Sequence, residues 1–285
     1  MDLAGPGVRP LTALADLHLH STASDGTLPP EAVVARGAAL GLAAVALTDH
    51  DTLAGLPAAT AEGERLGVRV VGGCEFSVAA PWGEMHLLGY FLPPGDPDLE
   101  EFLVRQRADR ERRAGEMAGR LRRHGLPVSD EAVRRVAGTG ALGRPHVARV
   151  LLEAGVVGTM DEAFERWLRR GRPGFVAKTL PTLSVVAGLV HAAGGVVSAA
   201  HLKERGTRAT LAQFQSEGLD ALEVRHPAHS PDLEARLLDL ARGLRLGISG
   251  GSDWHGEIAH GSHGALGASA VPLDWLDALE ARRPA

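Results

Sequence analysis

Two stretches of the chain alternate short apolar runs with segments of helical period, and the stretch between them does not. Apolar runs of about four to eight residues read as buried strands, and apolar positions recurring at three and four residues read as amphipathic helices. On that basis residues 13–20 form a strand, and 29–40 a helix opened by Pro29-Pro30 and stopped by Gly41. Residues 43–48 form a second strand, 53–66 a helix stopped by Gly67, 68–72 a third strand and 86–92 a fourth. The run Pro93-Pro94-Gly95-Asp96-Pro97 breaks the pattern. Residues 98–171 read as a helical insertion rich in Arg and Glu, with Ser129 as an N-cap and Thr159-Met160-Asp161-Glu162 as a capping box. Alternation resumes with helix 183–193, strand 195–200, helix 207–217, strand 221–225, helix 231–242, strand 245–249 and a closing helix 274–281. The expected organisation is an α/β barrel of residues 13–97 and 172–285, interrupted by the insertion 98–171.

Metal-binding side chains fall where these strands end. His18 and His20 are one residue apart, so on a strand they share a face. Asp25 follows in Ser24-Asp25-Gly26-Thr27, and His50 closes the second strand in Thr48-Asp49-His50-Asp51-Thr52. Glu75 ends the third strand, His86 lies in the fourth, His201 ends the strand after the insertion, and Asp253 and His255 follow the last one. In a parallel barrel all such ends meet on one rim, where active sites are built. Imidazoles with carboxylates suit Zn, Mn or Fe better than Mg or Ca, which prefer all-oxygen shells. The set exceeds one ion's shell, and a carboxylate such as Glu75 can bridge two ions. Ions ~3.5–4 Å apart clamp the attacking and leaving oxygens of a phosphoryl displacement. No Ser-His-Asp set or reactive-cysteine motif competes, so water on metal is the natural nucleophile.

Composition narrows the setting. A length of 285 residues is ordinary for an α/β barrel. The formal net charge of −5 argues against duplex DNA as a partner. The single cysteine, Cys74, cannot form an internal disulfide; it reads as a buried structural thiol and fits a reducing compartment. No run approaches the ~20 apolar residues of a membrane helix, and no basic segment followed by an apolar one opens the chain. A cytoplasmic protein without membrane contact is expected.

The segments DLHLHSTASDGT, LTDHDT, GCEFS, EMHLLGY, AAH at His201 and GGSDWH together resemble the motifs of the polymerase-and-histidinol-phosphatase (PHP) superfamily, over residues 13 to 265. The insertion and Gly143-Arg144-Pro145-His146 resemble its ribonuclease AM-like branch, which acts on 3′,5′-bisphosphate nucleotides and on RNA from the 5′ end. The resemblance implies a distorted (β/α)7 TIM-like barrel carrying a trinuclear site of Mn, Zn or Fe. It implies one ion held by His18, His20, Glu75 and Asp253, a second by Glu75, His86 and His201, and a third by Asp25, His50 and His255. Where relatives continue Pro-Gly-Arg-Tyr after the histidine at 201, this chain reads Leu202-Lys203-Glu204-Arg205.

The implied activity is a metal-dependent phosphoesterase acting on small phosphorylated nucleotides or short single-stranded RNA. Arg144, in a Gly-Arg-Pro-His turn, is the favoured substrate-binding cation, with His146 and Lys178 as further candidates; most other arginines of the insertion read as a solvated helix face. His226 ends a strand and can donate a proton to the leaving oxygen. Asp49 and Asp51 either orient imidazoles or cap turns. His124, His191, His229, His260 and His263 read as structural or surface residues. Histidinol-phosphate hydrolysis and a non-catalytic metal-binding module are the alternatives. The long insertion argues against the first, and the complete ligand set without a polymerase region argues against the second.

Overall fold

A computed structural model of the protein describes residues 13–257 and 263–284; His260 lies outside the described residues. Eight strands form one sheet in the order β7-β6-β5-β4-β3-β2-β1-β8. In chain order these are β1 (Leu14–Leu19), β2 (Ala44–Leu47), β3 (Arg69–Ala80), β4 (Gly83–Tyr90), β5 (Val196–Ala199), β6 (Ala221–Arg225), β7 (Gly247–Gly250) and β8 (Val271–Pro272). Helices α1 (Pro30–Ala39), α2 (Leu56–Leu66), α7 (Leu183–Ala192), α8 (Arg208–Ser216), α9 (Pro231–Leu244) and α10 (Leu273–Glu280) accompany them; α3 (Pro97–Arg123), α4 (Asp130–Ala137), α5 (Arg144–Glu153) and α6 (Met160–Ala163) fall between β4 and α7. The expected distorted barrel is the observed architecture. The gap between β1 and β7 is spanned by β8 at the start of β1, and at its end by Trp254, whose carbonyl accepts from the His20 N–H at 3.0 Å.

The short β8 was not expected, and two features near the rim also depart from the sequence expectation. The third strand continues to Ala80, so Glu75 lies in its middle rather than at its end. The fourth strand runs antiparallel to both neighbours, with Ser77 opposite His86. His86 therefore reaches the ligand rim from near the start of its strand. The apolar content of 69–80 cannot disclose this, because a hairpin extending past the rim and a buried parallel strand carry similar runs.

Local chemistry accounts for the helix ends. The Ser129 hydroxyl accepts from the Ala132 N–H at 3.0 Å. The Thr159 hydroxyl accepts from the Glu162 N–H at 3.1 Å, but the Glu162 carboxylate reaches one residue further back, to the Gly158 N–H at 2.7 Å. The expected capping box is thus half formed at Thr159 and half shifted. Helix α3 joins two apolar cores: Leu99, Phe102 and Leu103 pack into the main core, whereas Met117, Ala118 and Leu121 pack with α5 residues such as Val147 and Leu151.

The seam between β1 and β7 is tight. A Cβ on Gly251 would fall 2.4 Å from the His18 N. Buried Asp16 ties the seam down, accepting from the Ser252 N–H at 2.9 Å and the Gly267 N–H at 2.8 Å. Gly251→Ala is therefore expected to cost about 1–3 kcal/mol of stability, read as a lower urea midpoint; an unchanged midpoint would show that the seam has slack.

Candidate metal centre

The β1 pleat sets His18 and His20 side by side, with ring centroids 5.2 Å apart and both residues fully buried. Their Nε2 atoms face the same two carboxylate oxygens. Glu75 Oε2 lies 3.2 Å from His18 and 3.1 Å from His20, and Asp253 Oδ1 lies 3.2 and 3.3 Å away. Glu75 also meets His50 Nδ1 at 3.3 Å through Oε2, and His86 Nδ1 at 2.6 Å and His201 Nε2 at 3.2 Å through Oε1. Asp25 lies 3.4 Å from His255 Nε2 and 3.9 Å from both His20 and His50. All nine residues expected as ligands thus converge on one rim. Their grouping is more shared than expected: His20 joins Asp25, His50 and His255 as well as His18, Glu75 and Asp253, and His50 joins Glu75 and His86.

The donor set fits divalent cations. His18 Nε2, both ring nitrogens of His20, His50 Nδ1, Asp25 Oδ1, Glu75 Oε2 and Asp253 Oδ1 are buried without a hydrogen-bond partner. Each such atom costs about 1–3 kcal/mol if left unsatisfied, so their concentration at one place is what a cation site requires. Proton affinities carry the same demand for positive charge. Burial disfavours charge on His20, but Asp253 and Glu75 outweigh it and push it up to about 10. Burial likewise opposes ionisation of Glu75, Asp25 and Asp253, yet the surrounding histidines hold all three well below the usual carboxylate range. Burial lowers His50 and His201, which leaves neutral imidazoles with a lone pair to give. Backbone strain concentrates here too: Asp51, His201 and Asp253 hold φ of +51°, +30° and +51°, a region that costs non-glycine residues about 1–3 kcal/mol each.

A surrounding layer fixes the rings. Glu223 is fully buried; its Oε1 meets His18 Nδ1 at 2.9 Å and its Oε2 accepts from the His201 N–H at 2.7 Å. His255 Nδ1 donates to the Asp253 carbonyl at 2.8 Å, so in the neutral ring Nε2, 3.4 Å from Asp25, turns a lone pair toward the cluster for a cation. Asp49 braces the loop carrying Asp25, accepting from the Ser21 N–H and from the Ser21 and Ser24 hydroxyls. Asp51 instead pairs with buried Arg110, Nε to Oδ2 at 2.6 Å.

A cavity of about 250 Å³ lies over the cluster. Arg144, Lys178 and His226 line it, as do Arg110, Arg113 and Phe164. His146 is not brought to its wall: its Nδ1 accepts from the Gly143 N–H at 2.9 Å and caps α5. His226 Nδ1 accepts from the Ala228 N–H at 3.0 Å, so in the neutral ring the proton sits on Nε2, 3.3 Å from Asp253 Oδ2. Lys178 contacts Glu84 and the Ser77 hydroxyl, and burial, partly offset by Glu84, draws it down to about 8.

Sequence reasoning missed four residues. Glu223 is the one acid inside an apolar strand, Ala-Leu-Glu-Val, and that isolation was the available signal. Arg110 and Arg113 fall on the α3 stripe that continues as Ala114, Met117 and Leu121, positions where a solvated arginine is out of place. His263, read as structural or surface, meets Asp253 Oδ2 through Nδ1 at 2.9 Å and groups with Asp253 and His255. Glu223→Gln, which keeps the shape but removes the charge behind His18, is expected to weaken metal affinity about 10–100-fold. Metal titration followed by elemental analysis checks this, and native affinity in the variant would reduce Glu223 to a packing role.

Comparison with known proteins places this geometry. The PHP domain family matches residues 16–233. The chain is 36% identical over 247 residues to the 5′-3′ exoribonuclease Rnm of Salmonella typhimurium, covering 84% of each. It is 35% identical over 248 residues to a 3′,5′-nucleoside bisphosphate phosphatase of Chromobacterium violaceum, covering 84% of this chain and 86% of that one. Among solved structures, a candidate metal-dependent phosphoesterase from Bifidobacterium adolescentis superposes with a TM-score of 0.89 at 31% identity, over 97% of this chain and 99% of that one. With the motifs, the barrel and the clustered histidines and carboxylates in agreement, the chain belongs to the PHP domain family.

Proposed function

We propose that the protein hydrolyses phosphate esters of nucleotides, either nucleoside mono- and 3′,5′-bisphosphates or short single-stranded RNA taken from the 5′ end. One observation carries the proposal: a rim of buried imidazoles and carboxylates able to hold metal faces, across one cavity, a wall of cations. The names of the similar exoribonucleases and of the bisphosphate phosphatase support the substrate class. Three ions of Mn, Zn or Fe would be held as the resemblance implies, with Glu75 shared and with His20 and His50 positioned between groups. Bound there, such cations supply an acidified water and neutralise charge developing at phosphorus.

The chain's own residues supply the rest. Arg110, with Nη2 buried and unpartnered at the cavity wall, joins Arg113, Arg144 and Lys178 in holding phosphate oxygens. Residues 98–171 act as a cap that carries three of these cations over residues 13–97 and 172–285. Glu223 fixes the ring of His18. His226 presents its Nε2 proton at the cavity wall and donates it to the leaving oxygen. Among the described residues no helix is long and apolar enough to cross a membrane. A cytoplasmic setting is part of this reading; a nucleotide substrate and the buried thiol of Cys74 support it.

Purified protein supplied with Mn²⁺ is expected to release phosphate or mononucleotides from these substrates, and Asp253→Ala to lose bound metal and turnover together. Full metal content in that variant by elemental analysis would refute the ligand assignment. His226→Ala is expected to retain metal and lower kcat about 100-fold on nucleotides, but far less on 4-nitrophenyl phosphate, whose leaving group needs no proton. Equal losses on both substrates would remove His226 from the proton-donor role.

A further inference from the structure

A second cavity of about 230 Å³ adjoins the one over the metal cluster and shares His86, Arg144 and His201 with its wall. The hydrolytic chemistry above makes no use of its far end. There the wall is Trp82, at the tip of the β3–β4 hairpin, and Arg205, from the turn that follows His201. The Arg205 guanidinium carbon lies 5.4 Å from the indole centroid. The indole is held in place: Nε1–H donates to the Glu84 carbonyl at 3.1 Å, and Phe214 meets it edge-on at 6.0 Å between centroids. Trp82 is four residues from His86, at most about 14 Å along an extended strand, within the reach of a short oligonucleotide.

The charge of this cavity suits a nucleotide. Arg144 and Arg205 flank it, and its one carboxylate, Glu84, is already engaged by Lys178 and by Arg144 at 3.8 Å. A guanidinium alone would suit a phosphate, but here it lies over an indole, and the indole adds a flat apolar face that a phosphate cannot use. Indole and guanidinium planes are the surfaces on which unpaired bases stack. We propose that this cavity binds a base of the substrate against the Trp82–Arg205 pair, so that nucleotides and single-stranded RNA are selected over phosphate esters lacking a base. This rests on the phosphoesterase reading and goes beyond it by naming where a base is bound.

The test compares adenosine 3′,5′-bisphosphate with its base-free counterpart, 1-deoxyribose 3,5-bisphosphate. Wild-type protein is expected to show a KM about tenfold or more lower for the base-bearing compound, the scale of one stacked base. Trp82→Ala and Arg205→Ala should each erase most of that ratio while native metal content is kept, and Trp82→Phe should preserve it. A ratio unchanged in Trp82→Ala, or absent in wild type, overturns the proposal. If Trp82→Ala does not fold by circular dichroism, Arg205→Ala decides. If wild type turns over neither compound, the phosphoesterase reading fails by itself. The ratio of calorimetric Kd values for the same pair then judges the base site: a tenfold preference supports it and equal binding overturns it.

Discussion

One carboxylate organises the centre of this protein. Glu75, 1% exposed, carries five imidazoles around its two oxygens: His18, His20 and His50 on one side and His86 and His201 on the other. An ion buried to this depth costs several kcal/mol unless opposite charge or cation coordination compensates it. Five elements of the barrel meet at that compensation. β1 brings two rings through its pleat, and the turn after β2 brings His50. β4 brings His86 by running backwards, and the strained residue after β5 brings His201. β3 continues past the rim, so Glu75 is paired through its backbone with Leu88 of β4 on one flank and bridged to the turn after β2 on the other, rather than left at a frayed strand end.

The layer behind the ligands explains why the arrangement holds. Glu223 engages His18 through one oxygen and the His201 backbone through the other, so two candidate ligands from distant parts of the chain share one brace. Asp16 and Asp49 do similar work on backbone, pinning the loop after β7 and the loop that carries Asp25. The buried Arg110–Asp51 pair ties α3 to the turn beside His50. That link holds Arg110 at the cavity wall beside the cluster of histidines and carboxylates. It is also why a helix with a charged sequence packs part of its length against the rim.

Much of this was legible in the residues. The period of apolar positions placed six strands and the six helices outside residues 98–171 to within a few residues, but not β8, the end of β3 or the separate helices α3–α6. The paired histidines at 18 and 20 pointed to a cluster able to bind metal. Less legible was anything that depends on who meets whom. Glu75 read as a strand end because the run after it carries no signal distinguishing a hairpin arm from a buried strand. Arg110 and Arg113 were hidden in a charged helix whose buried face is visible only by its spacing. His263 has no motif around it and gains its meaning from its place beside Asp253 and His255.

The sequence by itself determined most element types, the helical stretch after β4 and which histidines and carboxylates are candidate ligands, since periodicity and residue chemistry are local properties. Only the tertiary structure decided the sharing of His20 and His50 between groups, the antiparallel approach of His86, the brace at Glu223 and the pairing of Trp82 with Arg205. Each of these depends on strand direction and loop path. Those are set by packing across the whole barrel, not by any stretch of chain short enough to carry a pattern.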